Sequence, residues 1–127
     1  MVKVVKRGWS PLPGRADAYA SSCAHEDAAS AVVAALGIPA GIYNVCDDQP
    51  LTRREWVDAL ADAADAKPPE LLPPWVSKLG GLMELFSRSQ RMSNSKLRSA
   101  SRWTPKWASA RTGLRNAVAM RRVARAR

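Results

Sequence analysis

The stretch from Gly41 to Lys67 constrains the fold more than any other, because it predicts a short strand, a tight polar turn and an amphipathic helix in succession. The expected strand, residues 42–46, is apolar apart from Asn44, which is typical of a strand covered on both faces in a parallel sheet. Residues 47–50 are polar, end in a proline and favour a turn. The unit as a whole indicates an α/β chain.

The helix after this turn carries several agreeing start signals. Thr52 is placed to cap it, and Glu55, three residues later, completes a capping box. Leu51 precedes the cap and can pack on Trp56 as a hydrophobic staple. The expected apolar face comprises Trp56, Val57, Leu60, Ala61 and Ala64, and the opposite face comprises Arg54, Asp58, Asp62 and Asp65. This pattern predicts a helix that buries one side against a core.

The length and the cysteines narrow the class of protein. A chain of 127 residues fits one domain with a modest core. It has no apolar run near the roughly 20 residues of a membrane span, and its first nine residues lack the apolar core of a signal peptide. Cys23 and Cys46 have no CxxC spacing, so we expect reduced core residues in a cytoplasmic protein.

The charge of the chain is concentrated at one end. Residues 1–77 carry a balance of −3 and residues 78–127 a balance of +12, which together give the net charge of +9. Such a basic third favours nucleic acid or an acidic ligand as a partner. The alternative is a solvated basic surface that ends in a frayed tail at residues 121–127.

The first half of the chain predicts one further strand and one further helix. Residues 18–24 suit a strand of small side chains. Glu26 and Asp27 suit the first turn of a helix, where acids favour the positive end of the dipole. Gly37 is expected to end that helix in the left-handed conformation.

The second half predicts three helices. The first has an apolar stripe that comprises Trp75, Leu79, Leu82, Met83 and Phe86. A short one is capped within residues 93–95. The last begins near Ser109 and directs Leu114, Ala117, Val118 and Met120 inward. The loop before it carries two tryptophans, Trp103 and Trp107, which either anchor the core or stack on bases.

Motifs of catalysis are scarce in the sequence. His25 is the single histidine, so any Ser-His-Asp chemistry would depend on it, and a structural role at a helix start is the alternative. The sequence has no glycine-rich phosphate loop, and neither Tyr19 nor Tyr43 is followed by a lysine four positions later. A metal site at His25 is not expected, because the neighbouring acids point in different directions.

One basic cluster remains as a candidate site. It comprises Arg88, Arg91, Lys96, Arg98 and Arg102. Arginines in such a cluster can hold a phosphate through bidentate hydrogen bonds. The alternative is the solvated face of a short helix, and the residues alone leave both interpretations open.

Three segments of the chain together resemble a known family. They are AHEDAASAVVAAL, GIYNVCDDQPLTRREWVDALADA and RSQRMSNSKLRSASRWTPKWASARTGLRNAV. Their order and spacing, over residues 10–120, resemble the extended short-chain dehydrogenases/reductases, and more narrowly the C-terminal, substrate-domain half of an NAD-dependent epimerase/dehydratase. The family's histidine aligns with Ala24, so His25 is displaced by one position.

The resemblance implies a partial C-terminal portion of a Rossmann-type fold, mostly helices with two or three short strands. Residues 1–127 would then form a single truncated domain without the dinucleotide-binding half, and would be inactive alone. NAD or NADP would be held by the missing half, so this chain alone would bind no cofactor. The substrate of the intact relative would be a nucleotide sugar or a related alcohol or ketone.

The resemblance also implies a site and a partner. Arg91, and less directly Arg88, would contact the phosphate of the substrate, whereas Asn44 would satisfy backbone groups. The strand at residues 42–46 would lack its parallel neighbour, leaving an open edge and exposed apolar helix faces. The partner would be the missing N-terminal half or a second copy of the chain, with no membrane involved. The alternative is a small basic module that binds nucleic acid or another partner.

Overall fold

Five helices and two very short strands make up the part of the chain that the structure, a computed structural model, describes: residues 1–73, 75 and 88–125. In chain order they are α1 (Val2–Lys6), β1 (Tyr19–Ala20), α2 (His25–Ala35), β2 (Leu51–Thr52), α3 (Arg53–Ala64), α4 (Ser95–Ser101) and α5 (Ala110–Arg125). The two strands pair antiparallel. The expected α/β chain, mostly helical with two short strands, is confirmed.

Helix α3 is the centre of the main core, and its predicted start is confirmed. The Thr52 hydroxyl accepts a hydrogen bond from the Glu55 amide at 3.4 Å, while a Glu55 carboxylate oxygen accepts one from the Thr52 amide at 2.8 Å. The predicted apolar face is buried throughout and packs against α1 and α5. The helix ends at Asp65, which adopts a left-handed φ of 54°.

Replacing the capping threonine is expected to destabilise the chain. The Thr52 hydroxyl accepts from the Glu55 amide and also donates to a Glu55 carboxylate oxygen at 2.7 Å, and the change Thr52→Ala removes both bonds. We therefore expect the free energy of unfolding to fall by about 1 kcal/mol. Urea denaturation followed by circular dichroism measures it. Thr104→Ala is the matched control, because Thr104 is exposed and caps no helix. Equal losses in the two variants would contradict the capping role.

Two apolar clusters stabilise the described residues. The main one comprises Val5, Leu51, Trp56, Val57, Ala59, Leu60, Ala61, Ala110 and Val118. The smaller one comprises Ala31, Leu97 and Trp103. The first lies around α3, and the second lies between α2 and α4, where Tyr43 and Val45 also pack against it.

The predicted strand at residues 42–46 is wrong. This segment has no strand hydrogen bonding among the described residues, and Ile42 is 87% exposed rather than covered. A strand requires a ladder partner, and β1 instead pairs with β2, with Tyr19 opposite Thr52 and Ala20 opposite Leu51. Apolar residues alone therefore did not suffice to make a strand here.

Several smaller predictions also need correction. The strand expected over residues 18–24 is limited to Tyr19–Ala20. Helix α2 ends at Leu36 in a right-handed conformation, with φ −65° and ψ −22°, so Gly37 is no left-handed cap. On α5, Val118 is buried as predicted, but Ala117 and Met120 are exposed because α3 covers only a narrow stripe of that helix.

Two predictions concern residues at the edges of the described ranges. The apolar stripe over residues 75–86 lies outside the described residues apart from Trp75, which is 63% exposed. Helix α5 continues to Arg125, and residues 126–127 are not among those described, so fraying at 121–127 stays a prediction. No helix within the described ranges combines the length and apolarity needed to span a membrane.

Candidate substrate-binding site

The two arginines expected to bind substrate lie on or beside a short extended segment next to β1, here called the 88–92 strip. The Gln90 amide donates to the Tyr19 carbonyl at 2.9 Å, and the Ser21 amide donates to the Gln90 carbonyl at 3.0 Å. The Ser21 hydroxyl then accepts from the Met92 amide at 2.9 Å. Hydrogen bonds to the backbone of Tyr19 and Ser21 and to the Ser21 hydroxyl thus hold the strip beside β1. Neither Arg88 nor Arg91 lies in a helix, so the alternative interpretation as the solvated face of a short helix does not apply to them.

Arg91 is oriented by an aromatic ring. Its guanidinium carbon lies over the Tyr19 ring, 5.0 Å from the centroid, and both Arg88 and Arg91 are exposed. A guanidinium that rests on a ring keeps its N–H donors in its own plane. Arg91 is therefore partly ordered and still able to donate to an anion.

A buried arginine that the sequence analysis missed positions the strip. Arg53, 1% exposed, donates from Nη1 to the Arg15 carbonyl at 3.1 Å and from Nη2 to the Arg88 carbonyl at 3.3 Å. Burial lowers the pKa of its guanidinium. Residue 53 is three and four positions before Trp56 and Val57, so helical periodicity already placed it on the buried face.

Two further basic residues of the cluster contact another segment, and Arg102 ends α4 in the left-handed conformation, with φ 59°. The Lys96 ammonium donates to the Ile42 carbonyl at 3.0 Å and lies 4.8 Å from the centroid of the Tyr43 ring. Arg98 forms an ion pair with Asp48 at 2.8 Å. These contacts connect α4 to the segment 42–48, so Lys96 and Arg98 do not share the strip with Arg88 and Arg91.

Two asparagines complete that connection. The buried Asn94 donates from its amide nitrogen to the Cys46 carbonyl and to an Asp48 carboxylate oxygen, both at 2.8 Å. Asn44 donates to the Ser93 carbonyl at 3.3 Å, which confirms the expectation that it satisfies backbone groups. Side chains rather than a strand ladder therefore provide many of the bonds of this segment.

The tryptophans of the loop before α5 have different environments. Trp103 is 7% exposed, belongs to the smaller apolar cluster and donates from its indole nitrogen to the Ser30 hydroxyl at 2.9 Å. The interpretation of Trp103 as a core anchor is therefore confirmed, and stacking on bases does not apply to it. Trp107 is half-buried beneath the Lys106 ammonium, 5.1 Å from the ring centroid. The buried Asp27 accepts from the Lys106 amide at 2.7 Å and from the Trp107 amide at 3.2 Å.

The two cysteines and His25 are weak candidates for catalysis or metal binding. Cys46 is buried as expected, whereas Cys23 is exposed. The residue is exposed as a whole, but partial desolvation of its sulfur, together with the charges of Asp27 and Asp47, raises the pKa of the Cys23 thiol. This disfavours the thiolate that a nucleophile needs. His25 begins α2 and is exposed. Within residues 1–73, 75 and 88–125, no group of three or more His, Cys, Asp or Glu side chains is placed to hold a metal ion.

Four large apolar side chains in and after α2 are uncovered. They are Val32 (66% exposed), Val33 (70%), Leu36 (84%) and Ile42 (87%). The first three belong to α2 or its end, and Ile42 begins the extended segment that connects to α4. Val32 and Leu36 lie four positions apart and therefore share a face of α2.

The described elements define a partial Rossmann-type α/β fold. The chain is similar to a functionally unknown conserved protein from Silicibacter pomeroyi, with a TM-score of 0.69 and 23% identity over 82% of this chain and 39% of that one. It is also similar to RMD from Pseudomonas aeruginosa, solved in complex with NADPH, with a TM-score of 0.61 and 24% identity over 93% of this chain and 38% of that one.

Because both identities are below 25%, these likenesses show the fold and nothing more. The chain spans 39% and 38% of the lengths of the two similar structures. No family model matches the chain. A search of curated proteins also found no match.

Proposed function

We propose that this chain is the substrate-side portion of an NAD(P)-dependent oxidoreductase of the epimerase/dehydratase type. Its substrate is a nucleotide sugar or a related alcohol or ketone, and it acts together with a dinucleotide-binding half. The main support for the proposal is the structural likeness to RMD, which was solved in complex with NADPH. The likeness covers 93% of this chain and 38% of RMD. The three sequence segments that resemble the family add independent support.

The uncovered apolar side chains of α2 and of residue 42 support a partner in this role. Val33, Leu36 and Ile42 are each at least 70% exposed, and a folded sheet packed against them would remove that apolar area from water. We propose the dinucleotide-binding half as this partner, with a second copy of the chain as the alternative. Either would also lie beside the extended segment 42–46.

The described residues themselves do not fit a nicotinamide dinucleotide. A pyrophosphate is usually bound at a helix N-terminus behind a glycine-rich turn. The first turn of α2 instead carries Glu26 and Asp27, whose negative charges would repel it. The cofactor is therefore assigned to the partner, and no reaction step is assigned to this chain.

We propose that Arg91 contributes a charge-assisted hydrogen bond to a phosphate of the substrate, with Arg88 beside it. Exposure leaves the Arg91 guanidinium accessible, and the Tyr19 ring restricts its orientation. Such restriction lowers the entropy lost when an anion is bound. The Arg53 bond to the Arg88 carbonyl keeps the strip in position.

Titration of the chain with a nucleotide sugar tests this role. UDP-glucose and GDP-mannose serve as probes in isothermal calorimetry. We expect Arg91→Ala to weaken binding roughly tenfold or more, because a hydrogen bond between charged groups is lost. Arg91→Lys should recover only part of the affinity, since an ammonium cannot form the bidentate contact. Failure of both probes to bind, or unchanged binding by Arg91→Ala, would contradict the proposal.

A basic binding module is the second candidate, and the exposed arginines of α5 favour it. Arg111, Arg115, Arg121 and Arg122 are all exposed. Arg115→Ala is the matched control for Arg91→Ala in the titration above, since it removes the same charge far from the strip in sequence. If Arg115→Ala weakens binding of a single-stranded oligonucleotide while neither nucleotide sugar binds, the second candidate replaces the first.

A further inference from the structure

A small cavity of about 140 Å³ lies where α1, the end of α3 and the second half of α5 meet. Its apolar lining comprises Val2, Ala64 and Val118. Its polar lining consists of four cations, which are Lys3, Lys6, Arg121 and Arg122. The function proposed above does not use this cavity, because neither Arg88 nor Arg91 lines it.

The four cations around the cavity are not neutralised by acids of the chain. All four are exposed, and within residues 1–73, 75 and 88–125 none of their side chains donates a hydrogen bond or forms an ion pair. Other cations of the surface do pair with a carboxylate, among them Arg15, Arg54, Arg98 and Lys106. The cavity is therefore a concentration of positive charge without a counterion from the described residues.

The negative groups at the end of α3 do not cancel this charge. Asp62 and Asp65 lie close to Ala64 in sequence, but neither lines the cavity. The carbonyls of Ala61 and Asp62 already accept from the amides that end the helix. The negative end of a helix dipole amounts to about half an elementary charge, whereas four side chains here each carry a full positive charge. An anion is therefore the ligand that this cavity attracts.

The number and type of the cations favour a phosphate over a singly charged anion. Arg121 and Arg122 each present a planar fork of N–H donors, which matches the oxygens of a phosphate. The lysines of α1 add compact charges from the other side of the cavity. A phosphate monoester carries about −1.5 to −2 charges at neutral pH and three strong acceptor oxygens, so cations of both helices can bind it together.

The size of the cavity favours a small ligand. Pockets for drug-sized molecules begin at about 300 Å³, so a cavity of about 140 Å³ suits one phosphate group and a few further atoms. Single-stranded nucleic acid instead needs cations along a groove and aromatic rings on which its bases stack. The described lining contains no aromatic side chain, and its four cations surround one cavity.

We propose that this cavity binds the phosphate monoester group of a small phosphorylated compound, with the phosphate between the cations of α1 and α5. The carbon atoms next to the phosphate contact Val2, which is half-buried and within reach of a ligand. Ala64 and Val118 form the buried base of the cavity, with exposures of 0% and 8%. A lipid headgroup that ends in a phosphate monoester presents the same chemistry.

Calorimetric titration with phenyl phosphate, compared with benzoate, tests the proposal. We expect phenyl phosphate to bind at least roughly tenfold more tightly, because it carries more charge and more acceptor oxygens. The double change Arg121→Ala and Arg122→Ala should weaken its binding roughly tenfold or more. Arg111→Ala with Arg115→Ala removes the same charge from exposed positions of α5 outside the lining, and should leave binding nearly unchanged. Equal weakening by the two double variants would indicate diffuse attraction to a basic helix and would overturn the proposal.

A variant on the other helix tests whether the cations act together. Lys6→Glu reverses one charge at an exposed position of α1, so circular dichroism should show an unchanged fold. We expect it to weaken phenyl phosphate binding roughly tenfold. Unchanged binding would show that α1 takes no part in a site, contrary to the proposal.

The source of the phosphate and the independence of the two sites are tested separately. Co-sedimentation with phosphatidylcholine vesicles that contain phosphatidic acid offers the same phosphate on a lipid. Binding to either probe that is lost in the Arg121→Ala, Arg122→Ala variant supports the site, and absence of binding to both probes overturns it. Arg91→Ala should leave phenyl phosphate binding unaltered, so this proposal and the nucleotide-sugar proposal fail separately.

Discussion

Leu60→Ala is expected to lower the free energy of unfolding by about 2–5 kcal/mol, because it deletes buried methyl groups at the centre of α3. Leu60 is 2% exposed and belongs to the main cluster with Val57, Val5 and Val118. These neighbours come from α3, α1 and α5, so relaxation into the space left behind would require three helices to move together. Partial collapse at most is expected, which places the cost above the transfer free energy alone.

The chain provides a matched control for this substitution. Leu36 is 84% exposed at the end of α2, so Leu36→Ala makes the same chemical change where no core contact is lost. We expect it to alter the free energy of unfolding by less than about 0.5 kcal/mol. Urea denaturation of both variants, followed by far-ultraviolet circular dichroism, gives the comparison. A similar effect at the two positions would show that α3 does not organise the core.

The sequence predicts α3 well because its signals are local and agree. The capping box at Thr52 and Glu55 and the apolar period from Trp56 to Ala64 all concern neighbouring residues. Arg53 shows the limit of this reasoning. Its position in the period places it on the buried face, but its charge argues for water. Its hydrogen bonds to the carbonyls of Arg15 and Arg88, which are distant in sequence, offset the cost of burying that charge.

The prediction of a strand at residues 42–46 is wrong for a related reason. Its apolar pattern is that of a strand, yet a strand forms only where another backbone pairs with it. In the described structure β1 pairs with β2 and with Gln90, and the segment is bonded by Asn94 and Lys96 instead. The apolar pattern of a segment indicates which secondary structure it favours, whereas strand pairing depends on residues far away in the chain.

The candidate binding residues show the same limit of what the sequence can predict. The basic cluster and the family resemblance together predict Arg91 and Arg88 as binding residues. The spacing of the residues does not predict that they lie on an extended strip beside Tyr19. Asp47 looked like an ordinary turn residue in the sequence. Its burial depends on α5, more than 60 residues later, because the Ala110 amide at the start of that helix faces the carboxyl. Sites formed by distant segments require the fold before they can be recognised.

Asp27→Ala is the second substitution with a large expected effect, about 2–4 kcal/mol in the free energy of unfolding. Asp27 is 3% exposed, and its two carboxylate oxygens accept from the backbone amides of Lys106 and Trp107 at 2.7 and 3.2 Å. Alanine leaves both amides without these acceptors. Because the contacts join α2 to a loop 79 and 80 residues later, their loss also loosens the entry to α5.

Two further variants separate this role from simple loss of charge. Asp27→Asn keeps one carbonyl oxygen as an acceptor, so we expect roughly half the destabilisation of Asp27→Ala. Glu26→Ala removes the neighbouring acid, which is exposed and pairs with the Lys106 side chain, and a much smaller loss is expected. Urea denaturation of the three variants ranks them. If Glu26→Ala proved as damaging as Asp27→Ala, the surface ion pair rather than the buried carboxylate would hold the loop against α2.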